Sequence, residues 1–310
     1  MRQPRIIRAV DLPEEHRCIG TLNAYEMESD GVLVACRLSD ENYEVGQLAV
    51  VQIPAMGVTL AEIEYSVDQF FMAFHAVDSQ HMLLVETGNV VHRRTASGWQ
   101  DEVLDSGFLQ EAYSLPGTAD FVFGDNGDIF RNEGAAWSLD DNPAMSTILG
   151  MHGRTNGELF AVGNSGTVLK ADGRQWENID IGVGISVRCV HVAQDRNVYL
   201  AGDQGFAAVL QGSELTKLEA DLEGDILSID EFRGELYFCD SEFGLSKLVG
   251  GKLEPVANLG YVYRVNGGAN WLTMAAGQNI FQFNGKTWRG VRIYFSDGYR
   301  TEQLDMSVLG

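Results

Sequence analysis

The chain has 310 residues, 45% of them hydrophobic and 21% charged, enough to bury a sizeable core. Its 44 acidic residues against 22 basic ones give a formal net charge of −22. That balance argues against nucleic acid, whose phosphates must be neutralised by Lys and Arg, and against anionic membrane surfaces.

In chain order, the opening stretch MRQPRIIRAVDLPEEH has no long apolar core of a secretory signal, and its RIIRAV is expected to form an outer strand. No run anywhere approaches the ~20 apolar residues of a membrane helix. An apolar run GVLVAC occupies 31–36 and is followed by SDENYEVGQ, which reads as a long loop. Further runs follow as HMLLV (81–85), DFVF (120–123), ELFAV (158–162), NVYLA (197–201), ELYFC (235–239) and NWLTM (270–274). Each is short, rich in β-branched and aromatic residues, and bounded by Gly, Asn, Asp or Ser, the pattern of a short strand. Earlier runs such as FMAFHAV, ILGMH, VRCVHVA, ILSIDEF and YVYRV supply a preceding strand in each unit. The four Cys show no C-x-x-C spacing. Cys189 and Cys239 fall inside expected strands and read as buried thiols, which fits a cytoplasmic address.

These runs keep a ruler. Trp99, Trp137 and Trp176 recur at intervals of 38 and 39 residues, and Trp288 falls about three intervals later. Leu215 and Leu253 take the two intervening places, and these two, like Trp137, Trp176 and Trp288, have a Gly three residues before them (Gly212, Gly250, Gly134, Gly173 and Gly285). Gly127, Gly166 and Gly205 sit ten residues before their Trp position, where a tight hairpin turn needs positive φ. Four antiparallel strands per ~38 residues is a propeller blade. The expected fold is therefore all-β, one propeller over 1–310, with seven blades favoured and six to eight possible. A solenoid would have shorter coils, and a sandwich would not keep the ruler. The first blade, about 17–56, is degenerate. Strands at about 290–310 are expected to close the ring by sharing a blade with the other terminus.

The stretches VGNSGTVLKADGRQW, GDNGDIFRNEGAAW and AAGQNIFQFNGKTW resemble the repeats of BNR/YCF48-like and YVTN/WD40-like β-propellers, over about Phe71 to Arg289. The resemblance implies fold and repeat type, not one function. The sialidase Asp-box places Ser and Asp seven and five residues before Trp. Here those places hold Phe130 and Asn132, Leu169 and Ala171, Phe281 and Phe283. The Gly-His and Trp-Asp dipeptides of WD40 repeats are also missing.

Catalytic motifs are lacking: there is no H-E-x-x-H, phosphate-binding Gly loop or G-x-S-x-G, so no catalytic residue and no cofactor is assigned. Asp125 and Asp203 each stand alone in a turn, too few oxygens for calcium. His75, His152 and His191 share one repeat position, with Ser114, Asp230 and Arg264 at the corresponding places. These six are expected to ring one mouth of the channel as a hydrated polar rim. Three His would suit zinc, but no metal is assigned. The charge points to a basic protein partner, with contacts expected near Asp40, Glu41, Tyr43 and Glu44 in the degenerate blade. The leading reading is a non-enzymatic binding protein, monomeric in isolation. Its most concrete form is an inhibitor or immunity protein for a basic bacterial toxin such as a nuclease. An assembly factor of the YCF48 type and a carbohydrate-active hydrolase or lyase with its site on the propeller axis are the alternatives.

Overall fold

The structure, a computed structural model, describes residues 18–27, 30–39, 46–67, 71–154 and 158–309. Seven sheets follow one another along the chain, and their strands pair with their neighbours in sequence, except that the short strand Glu219–Ala220 adds in parallel to the outer strand Lys252–Asn258 of the sixth. They start from inner strands Cys18–Glu26, Phe71–Asp78, Leu109–Leu115, Ile148–Gly153, Val187–Val192, Ile226–Phe232 and Arg264–Gly267. Each inner strand touches the inner strand of the next sheet, and the seventh touches the first. The result is a seven-bladed β-propeller around a central channel. Blades 1 to 5 have four strands, while blades 6 and 7 have five. Among the described residues no helix is long and apolar enough to cross a membrane.

The alternation of side chains along each strand sends one face of a blade toward its predecessor and the other toward its successor. The core is accordingly split into seven clusters, each shared by two adjacent blades. Phe121, Phe123, Ala161 and Leu169 meet between blades 3 and 4, for example, and Val162, Val187, Val192 and Leu200 between blades 4 and 5. The Trp ruler marks the fourth strand of its blade, and each ruler side chain turns back on the blade before. Trp99 stacks on Tyr65 of blade 1 with ring centroids 4.0 Å apart. Trp176 packs in the blade 3–4 cluster and donates its Nε1–H to Asp140 Oδ2 at 3.0 Å. Leu215 and Leu253 occupy the matching clusters of blades 5 and 6, and Trp288 that of blade 7, stacked on Phe283.

The turn glycines have a double constraint. At Asp125–Asp128 the Asp128 N–H donates to Asp125 O, and both central residues, Asn126 and Gly127, have positive φ, as a type I′ hairpin turn requires. Ser165–Gly166 and Gln204–Gly205 repeat this. A Cβ at Gly166 would also collide with the Val183 carbonyl oxygen, in the link to the next blade.

Two faces result. The first-to-second and third-to-fourth strand turns form a hairpin face. The second-to-third turns and the links between blades form a connecting face.

Ring closure differs from expectation. Among the described residues no sheet draws strands from both ends of the chain. The C-terminal strands Trp288–Phe295 and Tyr299–Gln303 are the outer pair of blade 7, and blade 1 runs from Cys18 to Val67. The expected RIIRAV strand lies outside the described residues. Closure is lateral: Thr21 N–H and Oγ1–H both donate to Gly277 O, at 2.6 and 2.9 Å. Asn266 Nδ2 donates to Asn23 Oδ1 and Ala24 O, and Glu26 accepts from the backbone N–H groups of Asn270 and Trp271. Arg289 forks onto Asp30 and lies 3.9 Å from the Trp271 ring centroid. On the outer edge, Thr301 N–H donates to Thr59 O and Ala61 N–H to Tyr299 O. Apolar packing of Val34, Val51, Ile280 and Ile293 fills the seam.

Gly173, at φ +64, has open space where a Cβ would go. Gly173→Ala should therefore cost about 1–2 kcal/mol for the left-handed backbone alone. Gly166→Ala adds the collision and should cost about 2–5 kcal/mol. Urea unfolding of the two variants checks this ordering.

Candidate functional site at the channel mouth

A cavity of about 710 Å³ occupies the channel, opening among the inner-strand ends on the hairpin face. His75, Ser114, His152, His191, Asp230 and Arg264 all border it. Strand pairing shows which of them are equivalent. His75 lies opposite Leu83, His152 opposite Phe160, His191 opposite Tyr199 and Asp230 opposite Tyr237. In blade 3 the residue in this register is Tyr113, opposite Phe121, and in blade 7 it is Asn266, opposite Thr273. Tyr25, opposite Leu33, completes the set in blade 1. Counting eight residues back from Phe121 leads to Tyr113, so this member was available to the repeat spacing. Asp40, Glu41, Tyr43 and Glu44 lie outside the described residues.

The seven equivalent side chains form a belt in which each reaches the next blade. Tyr25 Oη is 3.3 Å from His75 Nδ1, and the His75 ring meets Tyr113 edge-on at 5.2 Å between centroids. Tyr113 O–H donates to Gly153 O at 2.9 Å. Val192 N–H donates to His152 Nδ1 at 2.9 Å, and His152 stacks on His191 at 4.3 Å. The lone pair on His152 Nδ1 thus fixes its proton on Nε2. His191 Nδ1 lies 3.5 Å from Asp230 Oδ1, and Gly267 N–H donates to Asp230 Oδ2 at 2.7 Å. Asn266 then closes the belt onto blade 1.

Ser114 and Arg264 do other work. Ser114 is buried, and its hydroxyl donates to Asp120 Oδ1 at 2.8 Å. Asp120 also receives His81 Nε2 at 2.7 Å and Arg93 Nε at 2.6 Å. Burial opposes its charge, but these donors hold its carboxyl below the usual range. Arg264 lies two residues before the belt position, one layer deeper in the channel. The same layer holds Asn23 and the small residues Ala73, Gly150, Cys189 and Ser228, which leave space about the axis. Arg264 crosses that space to an ion pair with Glu111 of blade 3. Blades 3 and 7 are as far apart as two blades of this ring can be, so the pair spans the channel. Arg264 Nη1 also donates to Leu227 O at 3.0 Å. Burial raises the Glu111 carboxyl and Arg264 pulls it back.

Burial pushes His75 and His152 down to about 4, with Arg154 adding to the effect at His152, and holds His191 well below its ordinary value. Asp230 keeps 26% of its side chain open to the channel, but the enclosing walls push its carboxyl up to about 7. Neutral imidazoles beside a carboxyl that resists ionisation make a polar wall of low charge. Stacking of His152 on His191, with His152 Nδ1 already occupied, keeps these nitrogens from converging on one ion. Among the described residues no three His, Cys, Asp or Glu are placed to hold a metal. Cys36, Cys189 and Cys239 are buried free thiols.

No family model matches the chain. It is 28% identical over 140 residues to the immune protein Tsi7 of Pseudomonas aeruginosa, covering 42% of this chain and 44% of Tsi7. The chain thus spans less than half the length of that curated relative. Among solved structures, it resembles YCF48 bound to D1 peptide, with a TM-score of 0.59 at 12% identity over 97% of this chain and 95% of that one. It also resembles the WD40 β-propeller domain of Doa1, with a TM-score of 0.68 at 10% identity over 88% and 94%. These likenesses bear on the fold, and they agree with the resemblance read from the repeats.

Arg264→Met leaves Glu111 buried and unpaired and should destabilise the ring by about 3–5 kcal/mol. Adding Glu111→Gln to that variant should recover much of the loss, as read by chemical denaturation.

A second expectation concerns acid. A His lowered in the folded state takes up its proton more readily when unfolded, so its stabilising contribution is complete above pH 6.5 and is lost toward about 4. Asp230 acts oppositely, because its folded form keeps a proton that the unfolded chain releases between 3.8 and about 7. His152→Gln should flatten the acid loss by up to about 1.4 kcal/mol per pH unit, and Asp230→Asn should steepen it. Thermal melts across pH 4–7 measure both slopes.

Proposed function

We propose that this chain is a non-enzymatic protein-binding propeller, an acidic immunity protein that neutralises a basic bacterial toxin. The observation that carries this reading is its identity to a protein named as an immune protein. The net charge of −22 supports it, since an acidic disc associates quickly with a basic protein and loses on-rate as salt rises. A toxin that cleaves nucleic acid would be basic for the reason this chain is not: it must grip phosphates.

The channel chemistry favours binding over hydrolysis. Glycoside cleavage needs two carboxylates facing a sugar from both sides. Here Glu111 is engaged by Arg264, and Asp230 accepts backbone N–H groups from Glu231 and Gly267.

The test is capture from the native cell at low salt, followed by expression of the captured protein in a sensitive host. The captured protein should be basic, should arrest growth alone and should be silenced when this chain is co-expressed. A harmless captured protein would overturn the immunity reading. Glycan turnover by the purified chain, abolished by Asp230→Asn, would replace it with the hydrolase.

A further inference from the structure

The charge is not spread evenly over the disc. On the connecting face, the links between blades read LDSGF (104–108), DDNPAMST (140–147), IDIGVGIS (179–186), LEADLEGD (218–225) and LGYVY (259–263). Between them lie the turns DNGD (125–128), DQGF (203–206) and SEF (241–243). Among the described residues, the connections on this face contain no Lys, Arg or His at all. Cations approach them from strand ends: Arg188 is paired with Asp203 and Asp225, Lys252 with Glu219 of the 218–225 link, and exposed Lys217 ends the strand that leads into that link. The hairpin face is different. Its turns carry Arg154, Arg174, Arg196, Arg233 and Lys286 interspersed with acids such as Glu133 and Asp195. The excess negative charge of the loops therefore lies on one side.

The same face exposes large apolar side chains. Met145 is 88% exposed, Tyr261 52% and Phe108 36%, each from a different link between blades. Tyr263 stacks on Tyr261. Apolar groups within an acidic surround match the layout of a protein interface, with an apolar centre and a polar rim. A rim whose loops are acidic and carry no cation of their own further selects the sign of the partner.

We propose that the connecting face is the docking surface, and that its occupant is a folded protein presenting Lys and Arg around an apolar centre. This rests on the binding reading above and adds the face and the division of labour. The acidic loops set the association rate, and Met145, Tyr261 and Phe108 set the residence time.

The experiment compares full chains of equal net charge. Asp105→Lys, Asp141→Lys and Glu223→Lys are combined on the connecting face. Glu158→Lys, Asp172→Lys and Glu214→Lys are combined on the hairpin face as the control. Binding kinetics are read against the basic protein captured at low salt. The connecting-face variant should associate about tenfold or more slowly and lose its salt dependence, while the control stays within about threefold. Met145→Ala with Tyr261→Ala should dissociate faster at an unchanged association rate. Equal loss in both charge variants, or loss only in the control, overturns the face while leaving the immunity reading standing.

A second arm needs no captured partner. Oligolysine is cross-linked to the full chain with a carbodiimide and the adducts are mapped. They should concentrate on 104–108, 140–147 and 218–225. An even spread over both faces overturns the proposal. If no partner is captured, the immunity reading falls and this map alone decides the face. The chain's own N-terminal stretch carries Arg2, Arg5 and Arg8, and it is the competing occupant. Adducts that appear only after all three are changed to Gln would assign the face to that stretch and overturn the partner.

Discussion

Everything in this molecule depends on lateral contact between blades. A four-stranded sheet cannot bury both of its faces by itself, and here every apolar cluster is shared between two blades. The ring is thus an unbroken cycle of mutual burial, and its most demanding seam is the one where the chain cannot help. Between blades 7 and 1 no link of the described chain joins the two sheets. The seam holds by the same apolar packing as the others, with Thr21, Asn266, Glu26 and the Arg289–Asp30 fork added at its edges.

The inner strands add a second cycle to the first. Each belt residue looks forward to the following blade, so the register of one inner strand is tied to the next by a polar or ring contact as well as by packing. One layer deeper, small side chains leave a space that Glu111 and Arg264 cross. A charge pair in that setting is costly to bury and is seldom a net stabiliser. It does fix which blades lie opposite one another, because only residues three and four blades apart can meet across the axis.

Much of this was legible in the sequence. The Trp interval, the Gly three residues before it and the strand composition led to the blade repeat, since outer-strand packing demands a large apolar residue at one place in each unit. The belt was only half legible. His75, His152 and His191 share an offset of eight residues from their partners, whereas the offset in blades 6 and 7 is seven, because their first hairpins are shorter by one residue. Counting eight back from Leu272 leads to Arg264, whereas the belt residue Asn266 lies seven back from Thr273. In blade 3 the offset is regular, but Tyr113 resembles a core aromatic and its polar neighbour Ser114 drew attention instead. The Glu111–Arg264 pair, 153 residues apart in sequence, has no local signature. The sidedness of the charge lay in the loops all along, but a net charge summed over the chain conceals it until the turns are sorted by face.

The lateral character of the seams bears on what chain continuity is for. Because each sheet is folded from one contiguous stretch and then clasped on both flanks, the peptide links between blades are tethers more than structural members. A nick in a hairpin-face loop such as 133–136 would leave both flanks of its blade engaged. The molecule is in effect a closed assembly of seven modules that happen to be encoded in series. Two complementary fragments cut at such a loop have the surfaces needed to find each other and rebuild the disc. What the covalent chain supplies is the order of the blades around the axis and a high local concentration of each for the next.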